Sequence, residues 1–356
     1  MIEKSNSVVT VNLDTLKKNI RNLLCHVDKE TRVMAVVKAN AYGHGAVRVA
    51  KCVEPMVGAF AVNDIHEGIE LREHDISKPV LVFGVPEASF APQYRIHNLT
   101  ATVSAEEHFE MLPHGTSYHL NFDTGMGRLG FRSEEAKQVS ELVKLNSELF
   151  CTGIYSHFAT ADNPGSELVL RQHDQFQTIL RYFPGGLATH ISNTGGTAFY
   201  ETEQFNMVRL GIGMYGYPPG KTAIDGLEPI LNWKTRLVQT KRIGAHMPVS
   251  YGGDWQALSD GYLGVLPVGY DDGLRRNLSG KISVRIGSKS YEVVGNITMN
   301  YCMVFLGDED FEAGTEVELL YDENDAGLWA KKLETIPYEI LTGINPKIPR
   351  EYIPPH

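Results

Sequence analysis

Eight short runs of apolar and β-branched residues recur between residues 33 and 210, and most are followed by an amphipathic stretch. They cover residues 33–37, 57–62, 80–83, 100–103, 118–122, 150–155, 187–191 and 207–210, with helical patterns such as 64–74 and 167–182 between them. Nearly continuous apolar strands that alternate with helices indicate a parallel sheet covered on its outer face. Eight such units in under 200 residues predict a small (β/α)8 barrel, with a doubly wound open sheet as the rival. Beyond Pro218-Pro219-Gly220 helical periods nearly vanish. Alternating strands are expected at 235–243, 262–268, 281–286, 291–294, 303–306 and 316–321, with one short helix near 326–333. That pattern predicts a mostly antiparallel β domain. The expected division is a barrel over 8–225 and a β-rich domain over 226–356. Residues 7–13 also alternate as a strand, which is placed with the second domain, and Asp14 is expected to cap the helix that follows.

A length of 356 residues agrees with two domains. Apolar residues at 42% and charged residues at 21% fit a soluble globular chain. The net charge of -10 argues against nucleic acid or an anionic membrane as partner. No apolar run approaches the ~20 residues of a spanning helix. Residues 1–5 lack the apolar core of a signal peptide, so a chain complete as given is expected to be cytoplasmic. Cys25, Cys52, Cys151 and Cys302 have no paired spacing and read as buried thiols. The 13 histidines form no His-x-x-x-His pair, so no metal is expected.

In such a barrel the reacting groups sit where strands end. The first run ends in Lys38, the sixth in Ser156-His157, and the seventh in Ser192-Asn193-Thr194. The eighth carries Arg209 ahead of Gly211-Ile212-Gly213, and the fifth leads into a loop containing Arg128. Each has a plain structural explanation: a snorkelling lysine, a satisfied core histidine, surface arginines, turn glycines. Their convergence on one rim favours function. A desolvated lysine becomes a Schiff-base nucleophile, and backbone N–H groups after strands seven and eight commonly hold phosphate. Together they suit a phosphorylated, carbonyl-bearing aromatic cofactor.

Val36-Val37-Lys38-Ala39-Asn40-Ala41-Tyr42-Gly43-His44-Gly45 resembles the cofactor-lysine signature of bacterial alanine racemases. The resemblance continues in order through Asp123-Thr124-Gly125-Met126-Gly127-Arg128, Tyr155-Ser156-His157, Val208-Arg209-Leu210-Gly211-Ile212, Ser250-Tyr251-Gly252, Gly269-Tyr270-Asp271-Asp272-Gly273 and Asn296-Ile297-Thr298-Met299. It implies pyridoxal 5'-phosphate on Lys38 and racemisation by two bases, Lys38 on one face of the substrate and Tyr251 on the other. A tyrosine titrates near ~10 unperturbed and needs cationic company to act as a base; the resemblance supplies Arg128, which also approaches the substrate carboxylate. His157 would pack by the pyridine ring and Arg209 would face its nitrogen. Tyr42, Asn193, Thr194, Gly211 and Ile212 would hold the cofactor, the phosphate above all. Tyr270 and Met299 would line the substrate side. Tyr251 and Met299 would reach a partner's pocket, which implies a head-to-tail homodimer with shared active sites.

Three positions depart from the family pattern. Asn121 replaces a lysine that is often carbamylated to orient the arginine, which leaves Arg128 to a bound chloride or to Asn121 itself. Asn300 follows Met299 where an aspartate is usual, removing a negative charge near Tyr251. Asn345-Pro346 stands where a tyrosine ordinarily narrows the site, so Asn345 would leave room for serine beside alanine, the first expectation. Rival functions are a decarboxylase of basic amino acids, whose cysteine pattern is not evident, and a non-catalytic cofactor-binding barrel. The β domain that bears Tyr251 argues against the second.

Overall fold

The computed structural model describes residues 6–25, 27–200 and 205–354; residues 1–5, read above for a leader, lie outside them. The chain divides into two compact units, one of Leu16–Glu228 and one formed by the residues before and after it.

The first unit is the predicted (β/α)8 barrel. Its strands are β2 (Arg32–Val36), β3 (Ala59–Val62), β4 (Val80–Val82), β5 (Ala101–Val103), β6 (Ser117–Asp123), β8 (Phe150–Tyr155), β9 (Ala188–His190) and β10 (Met207–Leu210), while β7 (Phe131–Arg132) pairs beside β6; β1 (Val8–Asn12) belongs to the other unit. Parallel pairing runs β10-β2-β3-β4 and β5-β6-β8-β9, and the bridge Leu81–Thr100 joins the two arcs. At the remaining seam the Arg209 N–H donates to Ser192 O at 3.0 Å. All four residues of β3 and all four of β10 are buried, which is why they read as unbroken apolar runs. Helices cover the outside; Ile65–Glu73 starts at a capping box in which Asp64 accepts from the His66 N–H and Glu67 accepts from the Asp64 N–H.

The second unit holds a nine-stranded, mostly antiparallel sheet, including β11 (Leu231–Arg236), β12 (Gln239–Ile243), β15 (Gly261–Leu266), β16 (Ser283–Ile286), β17 (Lys289–Val294), β18 (Cys302–Gly307), β19 (Glu316–Leu320) and β20 (Arg350–Ile353); a hairpin of β13 (Pro248–Val249) and β14 (Trp255–Gln256) stands beside it. Strand β1 lies between β11, antiparallel, and β20, parallel. Ile243, Val249, Leu263, Val294 and Met303 form one of its buried clusters.

Three expectations are corrected. Residues 235–243 are two strands, because the chain crosses the sheet at Leu237, whose N–H donates to Thr315 O, and Val238, whose N–H donates to Val265 O. The first helix begins at Leu13, and its cap is Asn12, which accepts from the N–H groups of Asp14 and Thr15; Asp14 lies inside the first turn. A further helix, Pro337–Gly343, begins on a proline, whose missing N–H costs nothing at that position. Among the described residues no helix is long and apolar enough to cross a membrane.

Candidate active site

Lys38 follows the buried end of β2, and the backbone after it is left-handed. Ala39, Asn40, Ala41 and Tyr42 have φ of 52°, 53°, 51° and 54°. Side chains other than glycine resist this conformation by roughly 1–2 kcal/mol per residue, so the turn needs dense support. The N–H of Ala41 donates to Val37 O at 2.8 Å, that of Gly43 to Ala39 O at 2.9 Å, and that of Gly45 to Asn40 O at 2.9 Å. Asn40 Oδ1 accepts from the Ala46 N–H at 2.8 Å. The Lys38 amine lies 6.0 Å from the centre of the Phe83 ring. Burial lowers its basicity, Arg128 lowers it further, Glu67 raises it in part, and Arg209 lowers it again. A less basic amine spends more of its time as the free nucleophile.

Arg209, on β10, is only 2% exposed and has neutral acceptors around it. Its Nη1 donates to His190 Nδ1 at 2.7 Å and to His190 O at 3.1 Å. Its Nη2 donates to Ser156 O at 2.8 Å, His157 Nδ1 at 2.9 Å and Ile191 O at 2.9 Å. Since guanidinium cannot accept, both imidazoles must present a bare Nδ1 and carry their proton on Nε2. His190 Nε2 then donates to His119 Nδ1 at 2.9 Å. Burial, then Arg209, holds His157 and His190 well below the usual histidine range. Burial with Arg32 and Arg209 pushes His119 down to about 3. Burial also brings Arg209 down to about 10, against the opposing influence of Tyr155. Tyr155 stacks on His190 with centroids 5.0 Å apart, and its hydroxyl pairs with Thr102 at 3.1 Å.

Next to β10 the backbone is shaped for close approach. Thr194 Oγ1 accepts from the N–H groups of Gly211 at 3.2 Å and Gly213 at 3.4 Å. A Cβ on Gly211 would stand 2.8 Å from the Tyr42 hydroxyl, and one on Gly213 would stand 2.6 Å from Thr194 Cγ2. Two hydroxyls beside a glycine backbone that a Cβ would obstruct suit a phosphate. Asn193 caps the short helix Thr194–Phe199, its Oδ1 accepting from the Gly196 N–H at 3.0 Å.

Arg128 lies exposed on the loop after β6. Asp123 Oδ1 accepts from the N–H groups of Gly125, Met126 and Gly127, and Oδ2 from that of Arg128. Partial burial raises the Asp123 carboxyl, but these four donors outweigh it and hold the group below its ordinary value. Asn121 donates to Leu129 O at 3.0 Å, so the amide at this departing position pins the residue next to Arg128.

The remaining candidates share one set of loops in the second unit. Tyr251, 74% exposed, follows Ser250 with φ of 68°. Ser250 Oγ donates to Asn296 O at 2.6 Å, and Asn296 Nδ2 donates to Tyr251 O at 2.7 Å. The Tyr270 N–H donates to Thr298 O, and the Asp271 N–H to Met299 O, each at 3.0 Å. Gly269 permits this approach, since a Cβ there would lie 2.2 Å from Met299 O. Tyr270, Met299 and Tyr301 are exposed together with Tyr251. Asn345 is joined to the same loops: Nδ2 donates to Asp271 O at 2.8 Å and Oδ1 accepts from the Lys347 N–H at 2.9 Å.

The barrel thus brings together Lys38, Tyr42, His157, Thr194, Arg209, Gly211 and Ile212, and the second unit brings together Tyr251, Tyr270, Met299 and Asn345. Sequence reasoning passed over His119, His190, Tyr155 and Glu67. The available signal was a histidine set inside each of two apolar strand runs, 118–122 and 187–191.

Residues 11–219 match the family described as alanine racemase, N-terminal domain, and residues 230–352 match alanine racemase, C-terminal domain. The chain is 37% identical over 370 aligned residues to alanine racemase of Streptococcus uberis, with 98% of each chain covered. The solved alanine racemase of Clostridium difficile 630 superposes with a TM-score of 0.93 at 31% identity, covering 98% of this chain and 96% of that one. Alanine racemase from Bacillus anthracis with bound L-Ala-P gives a TM-score of 0.90 at 30% identity, covering 99% of this chain and 96% of that one.

Proposed function

The chain belongs to the alanine racemase family, and from that premise we propose that it interconverts L- and D-alanine with pyridoxal 5'-phosphate held in the barrel. The observation that carries this reading is the pairing of a half-buried Lys38 amine, made less basic by burial, with the Tyr42 and Thr194 hydroxyls gathered at the Gly211 backbone of the same barrel. Those residues fit the cofactor: the amine for its carbonyl, the donors for its phosphate, His157 and Arg209 for its ring. Bound there, the cofactor acts as an electron sink that makes the α-hydrogen of an amino acid acidic.

The protein's own groups do the rest. Lys38 Nζ takes the α-proton from one face or returns it. Arg209 is brought down only to about 10, so it keeps its proton at neutral pH and offers no acid to the ring nitrogen. Arg128 would meet the substrate carboxylate. Tyr251 Oη, supplied by a second copy of the chain, would handle the proton on the opposite face, so each pocket of the proposed homodimer needs two chains. Alanine is preferred to serine: the curated and solved relatives described above are alanine racemases, and the Bacillus anthracis protein carries L-Ala-P. A cytoplasmic enzyme that supplies D-alanine for peptidoglycan completes the proposal.

The test is covalent capture. Pyridoxal phosphate added to purified protein and reduced with borohydride should leave its mass on the peptide that contains Lys38. In heavy water L-alanine should then gain deuterium at Cα much faster than L-serine. A label on another lysine, or faster exchange of serine, would overturn the assignment.

A further inference from the structure

Glu67 has no place in the proton transfers, yet its half-buried carboxylate joins two segments that flank the site. Oε1 accepts from the N–H of Ala39 at 2.5 Å and of Asn40 at 3.4 Å, the first residues of the left-handed turn. Oε2 accepts from the N–H of Asn63 at 2.9 Å and of Asp64 at 3.2 Å, just past β3. A right-handed turn after Lys38 would direct the first pair of N–H groups elsewhere. We infer that Glu67 is a positioning residue for Lys38: one carboxylate, shared between the turn and the neighbouring strand end, fixes the left-handed backbone that keeps the amine over the Phe83 ring.

The assignment rests on the proposed role of Lys38 and deepens it. A carboxylate suits the task because both oxygens accept. Glutamine has the same shape, but whichever way its amide turns, an NH2 group faces one of the two N–H pairs. Aspartate keeps the charge but is one methylene short of spanning both segments. Charge adds a second consequence. The groups that act on the Lys38 amine are Glu67 from the helix after β3, Arg128 from the loop after β6 and Arg209 from β10, and the amine in turn lowers His157 after β8. Among them Glu67 supports the protonated amine, so its loss should make Lys38 still less basic.

Cofactor-free wild-type protein, Glu67→Gln and Glu67→Asp provide the test. Hydrogen–deuterium exchange follows the amides of residues 39–43, and reductive methylation across pH, read by peptide mass, gives the titration midpoint of Lys38. In Glu67→Gln the amides should exchange at least about tenfold faster, with the rest of the barrel unchanged, and the Lys38 midpoint should fall. Glu67→Asp should speed exchange while moving the midpoint less, and it serves alone if the glutamine variant does not fold. Wild-type exchange and midpoint in either folded variant would overturn the assignment, as would loosening spread evenly over the barrel. Failure of wild-type protein to capture pyridoxal phosphate at Lys38 would instead sink the proposed function and leave the positioning result readable.

Discussion

Arg209 is a fully buried cation that satisfies itself on carbonyls and imidazoles. Its fork reaches acceptors on either side at once, which a lysine cannot do. Arg209→Lys should therefore strand an Nδ1 on His157 or His190 and lower stability by roughly 1–3 kcal/mol; urea unfolding of the two proteins measures it. The buried imidazoles also set a pH dependence. His119, His157 and His190 stay neutral when folded but bind protons near pH 6.5 when unfolded. The unfolded state therefore holds more protons below about 6.5, and stability falls as pH drops from there toward about 3, the folded value of His119. Each such histidine adds up to about 1.4 kcal/mol per pH unit to that slope. Unfolding midpoints between pH 7 and 4 should fall steeply in the wild type and less so in His119→Gln; parallel curves would remove His119 from the account.

Among the elements, the loop Gly211-Ile212-Gly213 makes the firmest prediction. Gly211→Ala places a methyl 2.8 Å from the Tyr42 hydroxyl and obstructs the backbone there. Affinity for pyridoxal phosphate should fall about tenfold or more, as measured by fluorescence titration of the folded protein. Much of this level was legible beforehand. Apolar runs buried on both faces announce a parallel barrel, and polar residues that interrupt them at their ends announce the rim. Element boundaries were less legible, as with residues 235–243, where nothing local marks the crossing at Leu237. The left-handed turn was hidden for a different reason: Ala39-Asn40-Ala41-Tyr42 contains no glycine, and its handedness depends on Glu67, a residue 28 positions away from Ala39. The His119–His190 pair spans 71 residues, so neither histidine advertises the other. The bonds that tie Asn345 to its own loops were hidden as well, because the fold sets them and composition does not.

For the whole molecule, the proposed sharing of sites between two copies has a countable outcome. Lys38→Ala and Tyr251→Phe chains should each be inactive alone. Unfolded together and refolded, half the dimers would be mixed, and each would contain one pocket with both bases. Activity should return to about a quarter of wild type; no recovery would mean that both bases come from one chain. Strand β1 carries a different consequence. It precedes the barrel in the chain, but its sheet partners β11 and β20 follow it. During synthesis the ribosome must therefore deliver the entire barrel before β1 can dock, and until then its backbone edge stays open to mispairing with other nascent chains. A strand made before the barrel thus finds its place only after it.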